Sequence, residues 1–91
     1  MNYQKTQRFP IGLTFKRKLE HRKNEVANFT ITDVYRTTNN KGYIVKMVYV
    51  CEREFMGQML RDYFVDTSIA KALDAQHGNG YVAKNYNSCA A

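Results

Sequence analysis

The chain has 91 residues, of which 44% are hydrophobic and 24% are charged, and its formal net charge at pH 7 is +6. This length accommodates one domain with one thin core, and the composition excludes a chain that is disordered throughout. The longest uncharged apolar stretch, residues 47–51, is too short to cross a membrane as a helix.

The positive charge is unevenly distributed along the chain. Residues 1–46 contain ten lysines and arginines and three acidic residues. Residues 47–91 contain four lysines and arginines and five acidic residues. This asymmetry indicates a polyanionic partner or docking on an acidic protein surface, and a solvated basic loop would explain it equally well.

The first predicted elements are a polar tail and a strand. Residues 1–8 lack the apolar stretch of a signal peptide, and we expect them to form a flexible N-terminal tail. Apolar residues then occupy alternate positions, which predicts a half-buried strand. These residues are Phe9, Ile11, Leu13 and Phe15.

A strongly basic segment follows at residues 16–25. Leu19 is its only apolar residue, so we do not expect this segment to contribute to the core. We predict a long exposed loop or a protruding hairpin tip here.

The middle of the chain predicts two long strands joined by a tight turn. Residues 26–38 are rich in Thr, Val, Ile and aromatic residues, and a β-bulge near Thr32 and Asp33 would restore their alternation. The sequence Asn-Asn-Lys-Gly at residues 39–42 predicts the turn. Residues 43–55 form the longest predicted strand, and its core-facing side carries Tyr43, Val45, Met47, Tyr49 and Cys51.

The last predicted elements are a strand and a short helix. Gly57 permits a turn, residues 58–65 predict the strand, and Asp66 with Thr67 can cap the helix. An apolar stripe at helical spacing then ends before Gly78. The stripe consists of Ile69, Ala72, Leu73 and Gln76.

These elements predict a mainly β fold and a simple domain organisation. We expect a small, strongly bent antiparallel sheet or an SH3-like or OB-like barrel of four to five strands, with one short C-terminal helix. A four-stranded α+β sheet with one packed helix is the alternative. Residues 9–77 would form the single domain, and residues 78–91 a loosely held C-terminal tail.

The residues with reactive side chains predict neither an enzyme nor a metal or cofactor site. The four candidate metal ligands lie too far apart in sequence for structural zinc, and they are His21, His77, Cys51 and Cys89. We interpret Cys51 as a small buried hydrophobic residue. Whether it ever forms a disulfide with Cys89 stays open. Glu52 and Glu54 are two positions apart on one strand, a spacing that any solvated strand face produces.

The basic residues are the candidates for binding a partner or a nucleic acid. They could neutralise phosphates, and exposed aromatic residues could stack on bases. Arginine and tyrosine are equally favoured at protein–protein interfaces, so the sequence does not separate the two kinds of partner. The candidates are Lys16, Arg17, Lys18, Arg22 and Lys23, with Lys5 and Arg8 nearby in sequence.

Five short motifs spread over residues 11–73 are similar to a pattern in short, mostly uncharacterised reading frames of bacteriophages and mobile elements. The motifs are structural, and no catalytic residue is carried over from them. They are Ile11-Gly12-x-x-Phe15, Thr32-Asp33-Val34-Tyr35-x-Thr37, Val45-Lys46-x-x-Tyr49-Val50, Glu54-Phe55-x-Gly57-Gln58 and Thr67-x-Ile69-Ala70.

The resemblance implies a phage-type accessory protein that acts in a bacterial cytoplasm by stoichiometric binding. A host protein or nucleoprotein complex would be its partner, as for inhibitors of host defence complexes such as CRISPR effectors. Direct binding of DNA or RNA through residues 16–23 is the alternative function. A homodimer formed through an edge strand is a further alternative.

Overall fold

The fold is a single antiparallel sheet followed by two helices. The computed structural model describes residues 7–19 and 25–86. The strands are paired in the order β1-β2-β3-β4, so the predicted mainly β fold with a short C-terminal helix is confirmed. In chain order the elements are β1 (Thr14–Lys18), β2 (Val26–Thr38), β3 (Ile44–Phe55), β4 (Gln58–Phe64), α1 (Asp66–His77) and α2 (Tyr81–Asn85).

The sheet is open. Strands β1 and β4 are its two edges, and no pairing joins them within the described ranges. The predicted barrel is therefore not confirmed, and the architecture agrees with the four-stranded alternative in which one helix packs on the sheet.

The first strand begins later than its alternating pattern predicts. The Leu13 N–H donates to the Pro10 carbonyl oxygen at 3.2 Å, which closes a turn, and Gly12 within it has a φ of 99°. Proline followed by a left-handed glycine favours a turn over a strand. Residues 9–13 are thus not strand, whereas residues 16–18, which were predicted as loop, belong to β1.

The pairing of β2 with β3 confirms the predicted bulge and turn. Ile31 is opposite Cys51, but Asp33 is opposite Val50, so β2 has one extra residue at this point. After β2, the Asn39 side-chain oxygen accepts hydrogen bonds from two backbone N–H groups of the turn. Asparagine at the start of a turn commonly stabilises it in this way.

The core lies between one face of the sheet and α1. Ile69, Ala72 and Leu73 form the buried side of α1. Opposite them are buried residues of the sheet, including three of the five residues predicted on the core-facing side of β3. Those three are Met47, Tyr49 and Cys51, whereas Val45 is 43% exposed.

The two ends of α1 differ in how well they were predicted. Gly78 ends the helix, as predicted, with a φ of 113°. The predicted side-chain cap at Asp66 and Thr67 is wrong, because Val65 is the N-cap residue and no side chain bonds there. The Asp66 carboxylate instead accepts hydrogen bonds from Arg8.

Part of the segment predicted as a C-terminal tail packs on the domain. Val82 of α2 is buried, and its N–H donates to the Asp74 carboxylate at 2.9 Å. The ring centroids of Tyr86 and Phe9 are 5.4 Å apart. The predicted domain limits stay a prediction.

Candidate functional site

A groove runs between the edge strand β1 and helix α1. Its volume is about 640 Å³, and four cationic side chains line it. We call it the basic groove. Its lining residues are Lys16, Arg17, Lys18 and Val26 from the sheet, and Ser68, Lys71, Ala72, Ala75 and Gln76 from α1.

The local structure of β1 explains how three consecutive cations reach one groove. Side chains alternate across a strand, so Arg17 lies on the same face as the buried Phe15, and Lys16 and Lys18 lie on the other face. Because β1 is an edge strand, both faces border the space beside it. The groove therefore receives cations from both sides of the same strand.

Helix α1 provides the opposite wall. Ser68, Lys71 and Ala75 follow each other at spacings of three and four, which places them on one side of the helix. The Lys16 N–H donates to the Gln76 side-chain oxygen at 3.0 Å. This bond satisfies one backbone donor of the sheet edge and ties β1 to the helix.

The groove is strongly electropositive. Lys16, Lys18 and Lys71 are exposed, and no carboxylate is among the described residues that line the groove. Like charges in a cleft raise the local concentration of anions and repel one another until an anion binds. A polyanion is the ligand that relieves this repulsion most effectively.

Arg17 differs from the three lysines in its surroundings. Its guanidinium carbon lies 4.7 Å from the centroid of the Phe64 ring, and its side chain is half-buried. A guanidinium stacked on an aromatic ring is held in one orientation and presents a planar set of donors. Arg17 is therefore held in a more fixed orientation than the three exposed lysines.

The predicted binding residues separate into three groups. Lys16, Arg17 and Lys18 meet in the basic groove, although as strand residues rather than as a loop. Arg8 does not line the groove, because its guanidinium pairs with Asp66 at the start of α1. The remaining three, Lys5, Arg22 and Lys23, lie outside the described residues.

Lys71 lines the groove but was not predicted as a binding residue. The prediction for α1 concerned only its apolar stripe, and Lys71 is not part of that stripe. Lys71 is also far from the basic segment in sequence. The available signal was the spacing of Ser68, Lys71 and Ala75, three and four residues apart, which marks a second side of α1. Only the contact between α1 and β1 shows that Lys71 joins the basic strand.

The Glu52 carboxylate is engaged and the Cys51 thiol is buried. The Glu52 carboxylate accepts a hydrogen bond from Arg61 at 3.2 Å. Burial, together with the charge of Asp62, raises the pKa of the Cys51 thiol to about 12, which keeps it protonated and unreactive at neutral pH. Within residues 7–19 and 25–86, no three His, Cys, Asp or Glu side chains are grouped as metal ligands.

Among the described residues, neither helix has the length and apolar character needed to cross a bilayer. Comparisons with protein-family models, with curated proteins and with solved structures found no match. The function is therefore inferred from the geometry and charge of the basic groove.

Proposed function

We propose that this protein is a non-catalytic binding protein that holds a single-stranded nucleic acid in the basic groove. The observation that carries the proposal is the meeting of four cations from β1 and α1 in one groove whose described lining contains no carboxylate. Phosphate groups follow each other regularly along a nucleic acid strand, and a row of cations displaces their counterions.

The shape of the groove favours a single strand over a duplex. Duplex DNA is read by a helix or a β-ribbon that projects into its major groove. Here α1 packs its apolar side on the sheet and shares the groove with β1, so neither element projects. A flexible single strand can instead follow the groove between the two elements, as in other electropositive channels for single strands.

Fluorescence anisotropy with labelled single-stranded RNA and DNA of about 20 nucleotides tests the proposal. The affinity of the wild type should fall with salt in a log–log plot, because each phosphate contact releases counterions. A groove variant, Lys16→Glu with Lys71→Glu, should bind at least about tenfold more weakly. The matched control is Lys46→Glu with Lys84→Glu, which changes the net charge equally outside the groove.

Two results would contradict the proposal. Binding that is independent of salt would show that phosphate contacts do not dominate it. An equal loss of affinity in the groove variant and the control would show that overall charge, and not the groove, attracts the nucleic acid.

A second candidate function is docking on a host protein or nucleoprotein complex, as an anti-defence inhibitor of the phage type in a bacterial cytoplasm. It is favoured by apolar side chains on the sheet face opposite α1. Tyr35 and Tyr63 are more than half exposed there, and the half-buried Val48 lies opposite Tyr35 on β3. Exposed tyrosines around an apolar centre are typical of protein interfaces.

The second candidate predicts a partner that depends on this face. A tagged wild-type protein, incubated with nuclease-treated bacterial lysate, should retain one host protein stoichiometrically. The variant Tyr35→Ser with Tyr63→Ser should lose that protein, and Lys16→Glu with Lys71→Glu should keep it. Retention that survives the tyrosine substitutions would contradict this candidate.

A further inference from the structure

The two edges of the sheet differ in how far they are protected against pairing with another strand. At the β1 edge, α1 packs beside the strand, and the Gln76 side-chain oxygen accepts a hydrogen bond from the Lys16 N–H. Three of the five residues of β1 are also cationic, and charged side chains oppose pairing at an edge. The β1 edge is therefore protected by a helix and by charge.

The β4 edge has no comparable cover among the described residues, because α1 packs against β1 and β3. The residues of β4 pair one to one with β3 from Gln58 to Phe64, so no bulge interrupts the strand. The strand also contains neither lysine nor proline, which natural proteins use to block an edge. A regular and uncovered edge strand is a template for pairing with another chain.

Every second residue of β4 directs its backbone groups away from β3. In an antiparallel pair of strands, residues that exchange two backbone hydrogen bonds alternate with residues that exchange none. The two-residue turn makes Phe55 and Gln58 the first bonded pair. The N–H and C=O groups of Met59 and Arg61 therefore point outward, where a strand of another molecule can bond to them.

The open part of this edge is residues 58–62. At the far end of β4, the guanidinium carbon of Arg17 lies 4.7 Å from the centroid of the Phe64 ring, so a side chain of β1 already lies there. Within the open part, Met59 is 61% exposed and Leu60 is half-buried. A partner strand would cover both of these apolar side chains.

The sequence of β4 is complementary to itself in one antiparallel register. When two copies of a strand meet about a twofold axis, the residue on the axis lies opposite its own copy. An axis at Arg61 would oppose two arginines, and an axis at Asp62 would oppose two carboxylates, which is destabilising. An axis at Leu60 brings two leucines together instead. Arg61 then lies opposite Met59 of the second copy, and the Asp62 carboxylate lies opposite the Gln58 amide, which can donate to it.

We propose that two copies of this chain pair through β4 as antiparallel strands, with Leu60 on the twofold axis. The four strands of each copy then form one continuous sheet, and the protected β1 strands become its outer edges. Because each molecule has one open edge, the pairing ends at two copies and does not continue into a fibre. The match of β4 with itself favours a second copy over the strand of an unrelated protein.

The dimer carries two basic grooves. A single strand that reaches both grooves should bind more tightly than a strand that fills one, because the second contact is made within the same complex. This consequence rests on the proposed function for the groove, whereas the dimer itself is independent of it.

Analytical ultracentrifugation of the protein without nucleic acid, from micromolar to millimolar concentration, tests the dimer. Wild type should pass from monomer to dimer within this range, and Met59→Lys should remain monomeric. The new charge would lie opposite Arg61 of the second copy, whereas in the monomer it lies beside Glu54 at an exposed position.

The matched control is Val45→Lys, which adds the same charge at an exposed position of β3 and should dimerise like wild type. A wild type that stays monomeric at every concentration would overturn the proposal. A dimer that survives Met59→Lys, or that is weakened equally by the control, would also overturn it.

Single cysteines determine the register of the two strands, in a background in which Cys89→Ser removes the other thiol outside the core. Opposed residues that exchange no backbone bonds have Cα atoms about 4.5 Å apart, which suits a disulfide. Mild oxidation of Leu60→Cys should therefore give a covalent dimer on a non-reducing gel. Faster cross-linking of Arg61→Cys or Asp62→Cys would show that the proposed register is wrong.

The dimer and the groove function fail separately. If dimers form and cross-link at Leu60→Cys but no single strand binds, the groove function is wrong and the dimer stands. If strands bind with strong salt dependence to a protein that stays monomeric, the dimer is wrong and the groove function stands.

Discussion

Arg8 and Asp66 form a two-point ion pair that joins the segment before β1 to the first residue of α1. Arg8 Nε donates to Asp66 Oδ2 at 3.0 Å, and Arg8 Nη2 donates to Asp66 Oδ1. The hydrogen bond to Asp66 raises the pKa of Arg8. A carboxylate in the first turn also interacts favourably with the helix dipole. Asp66 therefore stabilises α1 as well as its ion pair with Arg8.

This pair should contribute to stability and not to nucleic-acid binding. Arg8→Ala and Asp66→Ala should each lower the free energy of unfolding, and a double-mutant cycle in urea should give a coupling energy of about 1 kcal/mol. Oligonucleotide affinity should be unchanged in Arg8→Ala. An affinity loss as large as that of Lys16→Ala would mean that Arg8 belongs to the binding surface.

The buried Cys51 thiol should make stability depend on pH in the alkaline range. Its pKa is raised from 9.0 to about 12, chiefly by burial. The unfolded thiol therefore loses its proton at a pH where the folded thiol keeps it. Its contribution to stability is complete below the unfolded pKa and decreases as pH rises toward the folded pKa, by at most about 1.4 kcal/mol per pH unit.

Urea unfolding of wild type and Cys51→Ala between about pH 8 and 10 measures this effect, because the difference between the two proteins isolates the contribution of the thiol. Cys51→Ala should be less stable at neutral pH because it leaves a small cavity, but its stability should fall less steeply with pH. Equal slopes for wild type and Cys51→Ala would show that the folded-state thiol is not protected from ionisation.

The turn between β3 and β4 has a residue that is poorly suited to its conformation. Met56 has a φ of 51° and precedes Gly57, whose φ is 78°. Turns with two left-handed residues favour Asn-Gly. Because Met56 is 86% exposed, Met56→Asn should relieve strain without loss of packing and stabilise the fold by about 1 kcal/mol.

Thermal unfolding checks this prediction, with an expected rise of the midpoint by about 4–8 °C. The matched control is Met59→Asn, which places the same residue at an exposed strand position of β4. Asparagine is unfavourable in strands, so the control should be no more stable than wild type. A stabilised control with an unchanged Met56→Asn would contradict the account of the turn.

The helix residue Lys71 should behave as a phosphate contact. Lys71→Gln removes one charge from the basic groove and should reduce the slope of log affinity against log salt by about 0.7, the value for one phosphate of a single strand. Lys84→Gln, on α2, should leave the slope unchanged. An unchanged slope in Lys71→Gln would exclude α1 from the binding surface.

Much of the sheet was predictable because its residues are patterned locally. The bulge in β2 follows from one break in the alternation of apolar residues, and the buried side of β3 follows from Met47, Tyr49 and Cys51. The start of β1 was not predictable in this way. Phe9 and Phe15 both reach the core, but a turn at Gly12 separates them, and alternation does not distinguish a turn from a strand.

The candidate site was only partly predictable, since it depends on contacts between distant segments. Three neighbouring cations on β1 are visible in the sequence, but their meeting with Lys71 requires α1 to pack beside the edge strand. The pairing of Arg8 with Asp66 likewise reassigns a residue that the sequence offered for binding. The contact between Arg53 and Asp62 across β3 and β4 gave no sequence signal at all.

Backbone amide chemical shifts, recorded while a single-stranded oligouridine is added at physiological salt, test the central claim most directly. The account predicts the largest changes at residues 16–18 of β1 and 68–76 of α1. It predicts no change at Tyr35 and Val48, which are paired on the opposite face of the sheet. Changes confined to that opposite face, or none at any concentration, would contradict the assignment of the basic groove as the binding site.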